Sequence, residues 1–101
     1  MRMIMLIQLP VEPFNHAIRN GTVGERMRQI LDAAKPEAVW FTEREGQRAG
    51  ILVVNIESPS DIPRLAEPWF LGFNATVEFR IAMTPEDLAA ANLEALGEQW
   101  V

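Results

Sequence analysis

His16 is the only histidine of the chain, and Glu67 is its most unusually placed carboxylate. An imidazole titrates near neutral pH and can take or give a proton there. Arg19 follows His16 by nearly one helical turn and is a ligand-binding candidate beside it. A lone histidine near a helix start is also a common surface or capping residue. Glu67 stands between Ala66 and Trp69-Phe70, directly before Pro68. A carboxylate enclosed by apolar side chains can serve as acid or base, and that enclosure is the expectation here. Its structural alternatives are to bind backbone N–H groups freed at a proline break, or to pair with an arginine. Arg80 is placed to receive an anionic ligand, or to pair with Glu78 two residues away. Trp40 and Trp69 either wall a flat aromatic ligand or fill the core.

The residue inventory excludes several chemistries. There is no cysteine, which removes disulfides, thiolate nucleophiles, zinc ribbons and iron–sulfur clusters. One histidine without sulfur ligands does not make a transition-metal site, and no loop has the carboxylate spacing for calcium or magnesium. The only serines, Ser58 and Ser60, sit in a turn and capping sequence and lack a nucleophile-elbow pattern. The glycines form no phosphate-binding fingerprint. No metal and no cofactor is therefore expected.

Fourteen Asp and Glu outweigh nine Lys and Arg, for a formal charge of -5. Nucleic acid requires a basic footprint and anionic membranes attract basic segments, so neither partner is expected. The opening run Met1 to Leu9 is too short for a membrane span. It leads into Pro10-Val11-Glu12-Pro13 in place of a small-residue cleavage site, so it reads as a first strand and the protein as cytoplasmic.

The 101 residues, 49% of them hydrophobic, make one domain with the order β-α-β-β-α-β-α. Met3 to Leu9 is the first strand. Helix follows from about Phe14 to Ala34, interrupted at Asn20-Gly21, with a capping-box spacing at Thr22 and Glu25 where it restarts. Strands over 38–44 and 49–56 flank Glu45-Gly46-Gln47-Arg48, a solvated hairpin tip together with Glu43 and Arg44. Ser60 caps the next helix and puts Pro63 in the first turn, where the missing N–H costs nothing. Pro68 predicts a kink or a break near Glu67, and 71–74 a turn. Ala75 to Ala82 is the fourth strand. Thr84-Pro85-Glu86-Asp87 then starts a last helix that runs to about Leu96, with Gly97 as its C-terminal cap and Trp100 as an apolar anchor or exchange partner. This order suggests a ferredoxin-like split β-α-β, α+β in class, with a four-stranded antiparallel sheet and an extra C-terminal helix.

An antiparallel sheet with one wet face alternates apolar and polar residues. The first strand does not: Met3, Met5, Ile7 and Leu9 point one way, Ile4 and Leu6 the other. The third strand repeats this with Ile51 and Val53 opposite Leu52, Val54 and Ile56. Helices from one chain cover only one such face. The other needs a second copy, or the last helix and tail folded over it.

Three segments, Glu12-Pro13-Phe14-Asn15, Ala66-Glu67-Pro68-Trp69-Phe70 and Met83-Thr84-Pro85-Glu86-Asp87-Leu88, resemble an uncharacterised bacterial family of the dimeric α+β barrel superfamily. The superfamily includes muconolactone isomerases, cofactor-free antibiotic-biosynthesis monooxygenases and stress-responsive proteins. The resemblance implies a ferredoxin-like protomer whose sheet pairs with a second copy to close a barrel, with small pockets between sheet and helices. It carries no reaction, since none of the superfamily's catalytic sets matches position by position. His16 does not match the iron-ligating histidine of its heme-degrading members.

The reading that follows is a small homodimer that binds or senses a metabolite without catalysis. The alternative is a cofactor-free isomerase or monooxygenase-like enzyme on a small aromatic or anionic metabolite. In it His16 or Glu67 would shuttle the proton and Arg80 would anchor the substrate. A structural partner for a different chain is a third, weaker reading.

Overall fold

In the computed structural model, which describes residues 1–101, the two-residue period of β1 (Arg2–Leu9) decides the layering. Met3, Met5, Ile7 and Leu9 are buried beneath helices, while Ile4, Leu6 and Gln8 lie on the opposite face and remain partly exposed. β1 pairs antiparallel with β3 (Gln47–Asn55) on one side and β4 (Thr76–Ile81) on the other, and β2 (Ala38–Arg44) pairs antiparallel with β3. The sheet order β2-β3-β1-β4 is that of a ferredoxin-like split β-α-β, so the chain is α+β with a four-stranded antiparallel sheet.

The helices follow from local chemistry. α1 (Val11–Arg19) ends where Asn20 Oδ1 accepts from both the Thr22 backbone N–H at 3.1 Å and the Thr22 hydroxyl at 2.6 Å. Gly21 turns the chain there with φ +76°. α2 (Val23–Ala34) starts after Thr22, but no capping box forms. The Thr22 hydroxyl is committed to Asn20, and Glu25 is held by Arg28 one turn onward. The β2–β3 hairpin is tighter than predicted: only Glu45 and Gly46 lie outside the strands, with φ of +54° and +76°. Two consecutive positive φ values match the right-handed twist of the flanking strands.

α3 (Asp61–Phe73) corrects two expectations. It starts after Ser60 as predicted, with Pro63 in its first turn, yet the serine hydroxyl does not cap it. It also runs unbroken through Pro68 to Phe73, so there is neither a break at Glu67 nor a turn over 71–74. Leu65, Ala66, Trp69 and Phe73 form one buried stripe, and their packing outweighs the one hydrogen bond that proline denies the Arg64 carbonyl. Trp69 and Phe14 each pack on Phe73, at 6.3 and 5.2 Å between ring centroids. Asn74 ends the helix in the left-handed region at φ +52°.

The chain end also differs from expectation. At the predicted helix start, Thr84 and Asp87 close a capping box in both directions, at 2.9 and 3.0 Å, with Pro85 at the first helical position. The helix then stops at Ala90. Asn92, at φ +53°, breaks the run and caps α5 (Leu93–Gln99) after α4 (Pro85–Ala90), so Gly97 lies inside α5. No residue of α4 or α5 is buried. The last helices therefore do not fold over the open face of their own sheet.

Pro68 offers a direct test of what holds α3. Pro68→Ala restores an N–H for the Arg64 carbonyl and should raise the unfolding free energy by about 1–3 kcal/mol. The urea midpoint should rise with an unchanged slope. A lower midpoint would mean that the proline ring itself supports the packing of α3.

Candidate functional site

The register assigns every strand residue to a face. Across the open face, Trp40, Ile51, Leu6 and Glu78 form one row, and Ala38, Val53, Ile4 and Arg80 the next. Thr42, Ala49, Gln8 and Thr76 form a third, more polar row. The centre is thus apolar, and the charges sit toward the rim. Arg80 Nη2 donates to Glu78 Oε2 at 3.2 Å, and Arg44 Nη1 donates to the other carboxylate oxygen of Glu78 at 3.4 Å. Gln8 and Gln47 are joined at 2.9 Å. Arg2 pairs with Glu37 at 3.0 Å at one end of the face.

This placement separates the residues singled out in the sequence. Arg80 and Trp40 belong to the open face. His16 and Arg19 lie on α1 and Glu67 on α3, and both helices pack on the other side of the sheet. The β layer therefore stands between Arg80 and the two proton-shuttle candidates. Glu67 is also open to water, so the apolar enclosure expected around it is not formed, and with α3 unbroken it has no freed N–H groups to bind. His16 and Arg19 are exposed near the end of α1. Trp40 is 57% exposed while Trp69 is 1% exposed in the core, with its indole Nε1 unpartnered. The two tryptophans cannot wall one ligand. No group of three or more acidic or histidine side chains is placed to hold a metal ion. Two of the hairpin charges are engaged elsewhere: Arg44 with Glu78, and Arg48 with its guanidinium 4.7 Å from the centre of the Phe14 ring.

The structure reveals a concavity that the sequence did not. A cleft of about 520 Å³ opens at the end of β1 and β4, beside the start of α3. Met1, Met3, Ile56, Pro59, Ile62 and Ile81 make its apolar wall, with Glu57 and Ser58 beside them. Its lip is the segment 57–60, held by Asp61. The Asp61 carboxylate accepts from the backbone N–H of Glu57 at 2.8 Å and of Ser58 at 3.3 Å, and Ser58 and Ser60 share a hydroxyl hydrogen bond of 2.7 Å. These backbone donors, with Arg64 a turn onward, hold the Asp61 carboxyl below the usual aspartate range. Met3, Ile56 and Ile81 were legible only as strand residues, because the lining comes together from three separate stretches of chain.

No protein-family model and no curated protein matches the chain. Among solved structures it is similar to the de novo designed protein Ferredog-Diesel, at 11% identity, over 79% of this chain and 83% of that one, with a TM-score of 0.43. At that score the likeness carries no argument, and the fold assignment rests on strand order and register. No helix is long and apolar enough to cross a membrane.

The depressed Asp61 carboxyl gives the cleft a pH signature. A carboxylate stabilised in the folded state contributes fully above its unfolded pKa, and that contribution is lost as pH falls through the folded value. The lip should therefore loosen only below about pH 4. Asp61→Asn should lower stability at pH 7 and flatten the acid limb of the stability curve, as read by urea unfolding at pH 3 and pH 7. An identical loss at both pH values would show that the carboxylate charge is not what holds the lip.

Proposed function

We propose that this protein is a small homodimer that binds a small, largely apolar metabolite without catalysing its conversion. One observation carries the reading: the apolar centre of the open face, Ile4, Leu6, Ile51, Val53 and Trp40, has nothing of its own chain over it. A second copy placed face to face buries that centre on both sides. At ~25 cal/mol per Å², each 100 Å² of apolar surface removed from water is worth about 2.5 kcal/mol before association costs. Two sheets paired in this way close a dimeric α+β barrel. The charged rim of Arg2, Arg44, Glu78 and Arg80 would then set register and orientation.

The cleft at the end of β1 is where a ligand fits. Its wall is aliphatic and its polar neighbours are a carboxylate and a hydroxyl, Glu57 and Ser58. That chemistry favours a compact apolar body carrying one hydrogen-bond donor, an alcohol or amine, over the carboxylate that Arg80 would have suited. Arg80 is a rim residue in this reading. The enzyme alternative required His16 or Glu67 to meet Arg80, and the sheet lies between them.

Sedimentation equilibrium and native mass spectrometry test both halves. The wild-type chain should sediment as a dimer, and Ile51→Arg as a folded monomer. Among indole, phenethylamine and 1-heptanol, at least one should bind the wild type, and Ile62→Trp, which fills the cleft, should abolish that binding. A wild-type monomer with the face hydrated rejects the dimer. Binding of none of the three probes, or binding untouched by Ile62→Trp, rejects the cleft as the ligand site.

A further inference from the structure

Residues 83–101 are not explained by the sheet face or the cleft. α4 and α5 run outward from the end of β4 and bury none of their residues. The chain spans 60 × 29 × 19 Å with a radius of gyration of 17.1 Å, against about 13 Å for a compact chain of this length. Yet the arm is patterned. Leu93 and Leu96 share one side of α5, Trp100 follows directly at its C-cap, and Glu94 and Glu98 fall on another side. All of these apolar residues are exposed, Trp100 at 76%. The arm is also one-signed: Glu86, Asp87, Glu94 and Glu98 are four of the fourteen acids, and it holds none of the nine cations.

The same chain presents a matching receptor. A groove of about 430 Å³ lies between α2 and α3, lined by Arg26, Gln29, Ile30, Ala33, Pro68 and Leu71. Leu71 is 82% exposed. Arg26 is fixed beside the groove by donating from Nη1 to the Gly72 carbonyl at 2.9 Å, which leaves its other N–H groups free for a carboxylate. An apolar helical stripe with flanking acids fits an apolar groove with a flanking arginine, in the manner of helix-in-groove recognition.

We infer that α5 of each copy docks in the α2–α3 groove of a second copy, so that two chains exchange arms. This rests on the two-copy assembly proposed above and adds an interface to it. The groove is on the helix layer and the paired sheet faces are on the other side, so the two contacts do not compete. The area argues for it as well. A footprint of four strands by about six residues is roughly 400 Å², about half of the ~800 Å² per partner that a stable interface buries. The exchanged arms supply more, and reciprocal docking is closed by a single two-fold axis.

The absence of native cysteine makes the test direct. Ala33→Cys and Leu96→Cys are placed together in one full-length chain, which is oxidised and run on a denaturing gel. A disulfide-linked dimer is expected. A fast-migrating, internally linked monomer would show the arm folding back on its own body, and no linkage would show that α5 does not reach the groove; either overturns the inference. In parallel, Leu93→Glu with Leu96→Glu should weaken the dimer about tenfold or more by sedimentation, with the helical circular dichroism of the body retained. A dimer that Ile51→Arg dissociates but the arm variant leaves at wild-type affinity overturns arm exchange alone. A dimer weakened by the arm variant and untouched by Ile51→Arg overturns sheet pairing and leaves the exchange standing. A wild-type chain that is monomeric at its highest soluble concentration overturns both.

Discussion

A β-strand shows half of its side chains to each face of its sheet, and in β1 almost all of them are apolar. That constraint organises the rest of the molecule. Helices α1, α2 and α3 can shelter Met3, Met5, Ile7 and Leu9, because the connections of a split β-α-β place them on one side. They cannot also shelter Ile4 and Leu6. The central strands are flanked by two edges of different character. β4 carries Glu78 and Arg80 toward the open side, whereas β2 places Trp40 there. The open surface is therefore apolar in the middle and charged at its margins, the arrangement of a protein interface more than that of a hydrated sheet.

The parts of this architecture written in local chemistry were legible in the sequence. The alternation of β1 and β3, the Glu45-Gly46 turn, the Asn20-Gly21 interruption and the Thr84-Pro85 helix start all depend on residues within a few positions of one another. The readings that failed were those in which a competing contact or backbone preference overrode the expected pattern. Pro68 predicts a kink or a break, but the helix continues because Trp69 and Phe73 are held in the core on either side of the turn that follows it. Thr22 had the spacing of a capping box, but Asn20 took its hydroxyl first. Asn92, which looked like an ordinary helix residue, adopts the left-handed conformation that asparagine tolerates, and so it divides the last helix.

The candidate site was less legible than the fold. Reactive side chains such as His16, Glu67 and Arg80 are conspicuous in a sequence. Which layer each occupies depends on pairing register, and register separates them. The cleft has the opposite character. Its walls are common aliphatic residues from the ends of β1, β3 and β4 and the start of α3, and nothing about them is distinctive until the chain is folded. In sequence Asp61 is one more residue of a helix start, yet its carboxylate organises the segment that forms the lip.

The three tryptophans fall in three different layers: Trp69 sealed in the core, Trp40 on the open face and Trp100 at the tip of the arm. Indole emission shifts to the blue when water is excluded from the ring. The molecule therefore carries an optical label in its core, on its open face and on its arm, with no chemical modification needed. Chains that keep one tryptophan and replace the other two by phenylalanine would report separately on core melting, face-to-face contact and arm seating. The spectrum of the unaltered protein is the superposition of those three signals, and self-association of the kind proposed would make the Trp40 and Trp100 components depend on dilution.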